Sequence, residues 1–127
     1  MTRKNDHPCD ALERIFHEPN RLSIMSALCA AEGGLTFNEL KDACRLTDGN
    51  LNRHLKVLAA AKAVTVRKEF VSSKPRTTLF LSTNGMARFE EYLRALSDVL
   101  EKARSAMPRE EKKAAAVAGI TAKATAH

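Results

Sequence analysis

The sequence has 127 residues, of which 44% are hydrophobic and 28% charged, the composition of one ordinary globular domain. It contains no apolar run of the roughly 18–20 residues that cross a bilayer and no apolar signal segment, so we expect a cytoplasmic protein. With 5% aromatic residues and no Trp, it has little material for stacking the bases of single strands. The net charge is +6, and residues 45–76 alone contain eight basic and two acidic side chains. This confined excess predicts a surface for a polyanion, although a solvated charged face is the alternative.

The N-terminal third predicts two helices. Residues 1–9 are polar and are expected to be flexible. Asp10 is predicted to cap a short helix that ends before Pro19, because proline disfavours helix at the residue before it. Asn20 is predicted to cap the next helix, and Gly33 ends it. The apolar positions of this second helix are Leu22, Met25, Leu28 and Cys29.

A helix-turn-helix is predicted next, after a strand stub at Leu35. Thr36 and Glu39 have the spacing of a capping box, which starts the third helix. Thr47 caps a fourth helix over residues 48–61, and the intervening turn is too short for the two helices to lie antiparallel. The positions of the third helix predicted to be buried are Phe37, Leu40, Ala43 and Cys44.

The fourth helix has a face suited to a DNA major groove. Leu51, Leu55 and Leu58 fall within about 40° of one another on a helical wheel and predict the buried stripe. Arginine can pair with guanine and asparagine with adenine, and small residues let a helix backbone approach the bases. An amphipathic helix with a solvated polar face is the alternative. The outward positions are Gly49, Asn50, Arg53, Lys56, Val57 and Ala60, with Asn52 to one side.

A β-hairpin follows and favours the DNA-binding interpretation. Residues 64–71 and 77–82 have strand composition, and they flank a polar segment over 72–76 that predicts a five-residue basic tip. Two hydroxyls and two cations at this tip suit a wing that contacts phosphates or the minor groove.

The last helix carries a heptad pattern. Thr83 is predicted to open a helix over residues 84–107, which Pro108 ends. Its apolar residues alternate in steps of three and four, which predicts a homodimer seam. Residues 108–127 are rich in Ala, Lys and Thr and are expected to be a disordered tail. The seam consists of Met86, Phe89, Leu93, Leu96, Leu100, Ala103 and Met107.

Three segments carry a family resemblance: HEPNRLSIM at 17–25, TFNELK at 36–41 and TDGNLNRHLKVL at 47–58. They resemble bacterial and archaeal winged-helix transcriptional regulators related to the MarR and ArsR groups, above all a small family whose recognition helix contains T-D-G-N-L-x-x-H-L. KPRTT at 74–78 resembles that family's wing, and LSTNG at 81–85 its strand-to-helix junction. The sequence departs from the family at Lys62-Ala63-Val64, where relatives usually have Ala-Gly-Tyr-Val.

The resemblance covers about residues 8–105 and implies a dimeric DNA-binding regulator, with the recognition helix in the major groove and the wing beside it. The expected fold is mostly α with a small β-hairpin: a winged helix-turn-helix over residues 10–82 and a dimerisation helix over 83–107. The residues implied to face DNA are Thr47, Asp48, Asn50, Asn52, Arg53, Lys56, Lys74 and Arg76, and Ser73 of the polar tip joins them.

Other candidate residues predict less. His54 lies about 60° from the buried stripe, which favours a packed, hydrogen-bonded residue over a base contact or ligand. Arg21 suits either a phosphate contact or a pair with Glu18. Cys9, Cys29 and Cys44 have no metal-binding spacing, and we expect no disulfide, metal or cofactor.

The sequence predicts no enzyme, because it contains no Gly-rich phosphate loop and no nucleophile with an evident base partner. We therefore expect a homodimeric regulator, most simply a repressor, that binds a pseudo-palindromic duplex. A winged-helix module that binds a protein partner and a sequence-indifferent architectural DNA binder are the alternatives.

Overall fold

The structure is a computed structural model that describes residues 12–108. These residues form a winged helix fold, which confirms the predicted fold class. The three strands make one antiparallel sheet in the order β1-β3-β2. The expectations for residues 1–9, for the Asp10 cap and for the tail after residue 108 lie outside the described residues. The elements in chain order are α1 (Pro19–Cys29), β1 (Leu35–Thr36), α2 (Phe37–Cys44), α3 (Asp48–Ala60), β2 (Val64–Val71), β3 (Lys74–Leu81) and α4 (Thr83–Ala106).

One apolar core joins the helices to the sheet. Its aromatic centre is Phe16, whose ring centroid lies 5.4 Å from that of Phe89 and 5.7 Å from that of Tyr92 in edge-to-face arrangements. Because Phe89 and Tyr92 belong to α4, the first half of that helix is part of the winged helix fold. The other buried apolar residues are Ile24, Met25, Leu28, Leu40, Leu51, Leu55, Leu58, Ala63, Val64 and Leu79.

The prediction of a short helix before Pro19 is wrong for the described residues, 12–18. Residues 14–16 form a turn, in which the backbone N–H of Phe16 donates to the carbonyl oxygen of Glu13 at 3.1 Å. The aromatic side chain still reaches the core, since a single turn suffices to aim it inward. A buried anchor therefore needs no regular helix here.

The start of α1 also differs from the prediction. Glu18 caps the helix instead of Asn20, and its Oε1 accepts from the backbone N–H of Arg21 at 2.7 Å. Pro19 then fills the first helical position, where its missing N–H costs no hydrogen bond. Met25 and Leu28 are buried as predicted and Ile24 joins them, whereas Cys29, the last residue of the helix, is exposed, contrary to the prediction for Cys29.

The predicted caps of α2 and α3 are confirmed. Thr36 Oγ1 accepts from the Glu39 backbone N–H at 3.1 Å, and Glu39 Oε1 accepts from the Thr36 N–H at 2.9 Å, a complete capping box. Thr47 Oγ1 accepts from the backbone N–H of Asn50 at 3.2 Å. Leu40 is buried as predicted, whereas Ala43 is exposed.

The hairpin tip is shorter than predicted. Ser72 and Ser73 form a two-residue loop with φ of 53° and 67°, so that Lys74–Arg76 belong to β3. Left-handed conformation at both loop residues matches the twist of the flanking strands. Serine adopts it here without the Asn-Gly or Asp-Gly pair that usually marks such a turn.

The junction into α4 rests on a left-handed residue and a serine cap. Lys62 has φ of 62° and ends α3, although the sequence has no glycine there. Ser82, and not Thr83, caps α4: its Oγ accepts from the Gly85 N–H at 2.8 Å and lies 2.7 Å from the Lys62 carbonyl oxygen. Among the described helices, none is long and apolar enough to cross a membrane.

Candidate nucleic-acid interface

Helix α3 buries one side and exposes the other, as predicted. Leu51, Leu55 and Leu58 are buried in the core. The opposite side is open to solvent along the whole helix. Its exposed residues are Asp48, Gly49, Asn50, Asn52, Arg53, Lys56, Val57 and Ala60, and Thr47 before them is exposed as well.

His54 anchors α3 to α1, which confirms its predicted role as a packed residue. It is 5% exposed, with Nδ1 3.2 Å from Nη1 of Arg21 and Nε2 3.5 Å from Nδ2 of Asn20. Arg21 also donates from Nε to the Ile15 carbonyl oxygen at 2.7 Å. The guanidinium is thus engaged within the fold, where it fixes the orientation of α3.

The first turn of α3 is polar and partly paired. Asp48 Oδ1 lies 2.9 Å from Nζ of Lys41, and this hydrogen bond raises the pKa of the lysine. Arg53 Nη2 donates to Asn50 Oδ1 at 3.3 Å. The pairing of Asp48 reduces the negative charge that a phosphate would meet at the start of the helix.

An open cleft of about 850 Å³ lies between α3 and the sheet. Asn52 and Lys56 of α3 line it together with Lys68 of β2 and Thr77 of β3. Helix and hairpin therefore contribute polar groups to one concave surface, as a wing beside a recognition helix requires. The other lining residues are Phe37, Asp48, Gly49, Leu55, Ala59, Val66 and Leu79.

Lys68 is a candidate interface residue that sequence reasoning missed. It pairs with Thr77 in the β2–β3 register, and both line the cleft. The signal was available, since alternate residues of a strand share a face and Val66 is two positions away. What the sequence did not provide was which face of the hairpin meets α3.

The remaining wing cations lie at different places. Arg76 lines a second cleft of about 400 Å³ with Thr36 and Asn38, next to the start of α2. Arg67 lies over the Phe80 ring at 4.5 Å on the other face of the sheet. Lys74 is exposed beside the loop, as is Ser73 within it.

The predicted interface residues are thus only partly brought together. Asp48, Asn52 and Lys56 share the cleft with Lys68, while Asn50 and Arg53 pair on the exposed side of α3. The basic excess of residues 45–76 is divided further, because Arg45 and Lys62 occupy left-handed turns. The clefts and the exposed side of α3 therefore hold four cations, Arg53, Lys56, Lys68 and Arg76, while Lys74 is exposed beside the hairpin loop.

Comparison with known proteins agrees with this geometry. Residues 20–100 match the winged helix DNA-binding domain family. The chain belongs to this family. Over 80 residues it is 32% identical to an uncharacterised protein of Methanocaldococcus jannaschii, a match that covers 63% of this chain and 86% of that protein.

Solved structures show the same fold for this winged helix domain. A transcriptional regulator homologue from Pyrococcus horikoshii OT3 superposes with a TM-score of 0.67 at 28% identity, covering 72% of this chain and 89% of that one. Staphylococcus aureus MepR in complex with DNA superposes with a TM-score of 0.63 at 18% identity, covering 94% and 88% respectively. At that identity, the likeness to MepR concerns the fold alone.

The predicted seam of α4 divides between two environments. Phe89 is 1% exposed in the chain's own core, and Leu96 packs partly against that core. The residues at seven-residue intervals are instead exposed, at 52% for Met86, 43% for Leu93, 55% for Leu100 and 43% for Met107. Ala103 is exposed too. The winged helix domain therefore presents an apolar line along α4, but Phe89 is not available to a partner.

The described part of the chain contains no group of three His, Cys, Asp or Glu side chains placed to hold a metal ion. Cys29 is exposed and Cys44 is half-buried, and neither forms a disulfide. Partial desolvation by its neighbours raises the pKa of the Cys29 thiol, although the residue is exposed, and this disfavours the reactive thiolate.

Proposed function

We propose that this winged helix domain is a transcriptional regulator that binds duplex DNA with α3 in the major groove and the β2–β3 wing alongside. The observation that carries the proposal is the shared cleft, in which Asn52 and Lys56 of α3 face Lys68 and Thr77 of the sheet. A helix and a strand each contribute a cation to this open surface, so a polyanion bound there could be contacted by both elements at once.

Base reading is assigned to the exposed side of α3. Arg53 and Asn50 are exposed and lie one helical turn apart, within hydrogen-bond distance of each other. Arginine can donate two hydrogen bonds to guanine, and asparagine can pair with adenine through a donor and an acceptor. Gly49 has open space around it, which lets the first turn approach the bases closely. Thr47 and the free amides of that turn suit a phosphate.

The proposal includes a homodimer formed through α4. Met86, Leu93, Leu100 and Met107 lie at intervals of seven residues, and their exposure leaves an apolar line of about 30 Å along the helix. Beyond Leu96, no described residue of α4 packs against the core, so a second copy is the natural cover for this half. Such a seam is the pattern by which two helices pair.

A two-fold dimer presents two copies of α3, so the site is a pseudo-palindrome with half-sites about one helical turn of DNA apart. We propose repression as the consequence, because a dimer seated on a promoter excludes other proteins from the same grooves. The shared fold with the P. horikoshii transcriptional regulator homologue and with MepR bound to DNA supports the DNA-binding part of this proposal.

Duplex selection from a random pool tests the proposal. The purified protein is expected to enrich a two-fold symmetric motif. The decisive comparison is between Arg53→Ala and Arg94→Ala, because both remove an exposed arginine and only the first lies on α3. Arg53→Ala should change the preferred base and cost about 1–3 kcal/mol of binding free energy on the selected duplex. Arg94→Ala should leave both unchanged.

Three outcomes would contradict parts of the proposal. An unchanged motif with Arg53→Ala would refute base reading by α3. Binding without any enriched motif would indicate a sequence-indifferent architectural protein. Failure to retain any duplex at low salt, together with co-purification of a protein, would indicate an interaction module.

A further inference from the structure

The wing carries a large apolar side chain in open solvent. Phe70 is 77% exposed, the highest value among the large hydrophobic residues of the described chain. It lies at the second position before the Ser72-Ser73 loop, on a hairpin that also carries Lys68, Lys74 and Arg76. Covering such a ring removes apolar surface from water and lowers the free energy, so a partner that buries Phe70 would be stabilised by the contact.

The strand register gives the direction of the ring. Alternate residues share a face, so Phe70 lies on the same face of β2 as Val66 and Lys68, which line the cleft with α3. Its neighbour Val71 lies on the opposite face. The ring therefore extends the surface that faces the cleft, about 7 Å further towards the tip than Lys68.

Pro75 completes the apolar tip. It is the cross-strand partner of Phe70 in the antiparallel ladder. Because the loop has two residues, Val71 and Lys74 form a hydrogen-bonded pair, and the next pair is non-hydrogen-bonded. Proline therefore breaks no hydrogen bond between β2 and β3, and side chains of such pairs approach closely. β1 pairs only with Thr78 and Leu79, so the tip projects beyond the three-stranded part of the sheet.

We propose that Phe70, supported by Pro75, is an apolar wedge that enters the minor groove of the bound duplex and partly unstacks one base step. This inference rests on the DNA-binding function proposed above. Phenylalanine and proline are side chains that wedge between base steps and bend DNA away from the inserted groove.

Charge around the ring selects DNA over a protein partner. Lys68 lies on the same face of the hairpin as Phe70, whereas Lys74 and Arg76 lie on the opposite face together with the acidic Glu69. Phosphates border both sides of the minor groove, so a narrow hairpin with an aromatic ring near its tip and cations on both of its faces matches a duplex in charge and shape. The ring then supplies the contact with the bases that its charged neighbours do not make.

The first experiment uses tryptophan as a local probe, since the chain contains none. Phe70→Trp and Val71→Trp place one indole on opposite faces of the same strand. The probe is the duplex enriched by the wild-type chain. If the ring inserts, duplex addition quenches the Phe70→Trp emission and shields it from acrylamide, and the Val71→Trp emission changes little.

The second experiment measures affinity and bending with Phe70→Thr and the matched control Val71→Thr. Threonine keeps the strand preference at both sites. The end-to-end energy transfer of a dye-labelled duplex reports the bend. Phe70→Thr should weaken binding about tenfold and abolish the bend, because stacking on a base is lost. The salt dependence of binding should stay unchanged, since no phosphate contact is removed. Val71→Thr should resemble the wild type.

The results separate the two proposals. If the wild-type chain binds a selected duplex while Phe70→Trp emission is unaffected and Phe70→Thr keeps its affinity and bend, the wedge is refuted and the DNA-binding function stands. If the wild-type chain binds no duplex, both are refuted. A change of oligomeric state in Phe70→Thr without any loss of DNA affinity also refutes the wedge.

Discussion

Gly85→Ala tests how α4 is joined to the DNA-binding fold. Gly85 is buried in the first turn of α4, directly against the backbone of Ala63. A Cβ there would lie 2.7 Å from the Ala63 carbonyl carbon and 2.8 Å from its Cα, and nearer still to its carbonyl oxygen. The three nearest atoms all belong to the Ala63 backbone, so no flexible side chain can move aside. The helix and the turn would have to separate.

The magnitude follows from the contacts that this separation breaks. Carbon atoms pack at about 3.5–4.0 Å, so the two backbones must move apart by about 1 Å. Overpacking of this kind costs about 1–3 kcal/mol, and each hydrogen bond lost from Ser82 to the Lys62 turn costs about 1 kcal/mol. The better helix propensity of alanine returns about 1 kcal/mol. We expect a net loss of about 2–3 kcal/mol in the free energy of unfolding.

The assay is urea or thermal unfolding followed by circular dichroism, with Gly49→Ala as the matched control. Gly49 is also a helical glycine, but a Cβ there meets no atom within 4 Å. Gly49→Ala should therefore stabilise the chain by about 0.5–1 kcal/mol. Gly85→Ala should lower Tm by roughly 10–20 °C, from about 4–8 °C per kcal/mol for a domain of this size.

The test is whether Gly85→Ala lowers the free energy of unfolding relative to the wild type. If Gly85→Ala is as stable as the wild type, α4 does not need its close approach to Ala63, and its first turn is not fixed to the core as described. The same pair of variants also tests DNA approach. Gly49→Ala should weaken duplex binding while it stabilises the fold, because the added methyl lies on the surface assigned to the bases.

Three further predictions concern charge and assembly. Lys74→Ala should weaken binding to all duplexes alike and flatten the salt dependence of log K by about one unit if one phosphate contact is lost; an unchanged slope would remove this residue from the interface. Leu100→Glu should raise the dimer Kd about a hundredfold in analytical ultracentrifugation, because pairing would bury a carboxylate, whereas Ser105→Glu adds the same charge away from the seam and should not. Hydrogen bonds from Thr36, the backbone N–H above all, lower the pKa of Glu39. The stability from this carboxylate is present above its unfolded pKa and is lost as pH falls through the lower folded value, so Glu39→Gln should remove that part of acid destabilisation in urea titrations from pH 6 to 3; identical pH profiles would contradict it.

The locally encoded features were predicted well. Capping by Thr36 and Thr47 and the buried stripe of α3 depend on residues within a turn or two of one another, so the sequence pattern contains the necessary contacts. The wing was predicted as a hairpin for the same reason, since strand composition is local. Its loop was predicted too long, because Ser72-Ser73 adopts a left-handed turn without the glycine that usually indicates one.

Other errors arose where an apolar residue has more than one possible partner. The heptad spacing of α4 assigned Phe89 to a dimer seam, yet the ring packs against Phe16 and Tyr92 within the chain. The spacing of α1 assigns Cys29 to the core, but this residue ends the helix and is exposed. For Phe89 the periodicity was correct and the partner was not, and for Cys29 the pattern extended to a helix end that the core does not cover.

The order of the elements, the polarity of the α3 surface and the presence of a basic wing can be predicted from local sequence patterns, because these features depend on contacts between near neighbours. The tertiary structure alone decided which cations share a cleft, that Lys68 is one of them, and that Phe70 extends the same face. These features depend on core packing between residues that are far apart in the sequence. The close approach of Gly85 to the Ala63 backbone is a second example of such packing, because it sets the position of the first turn of α4.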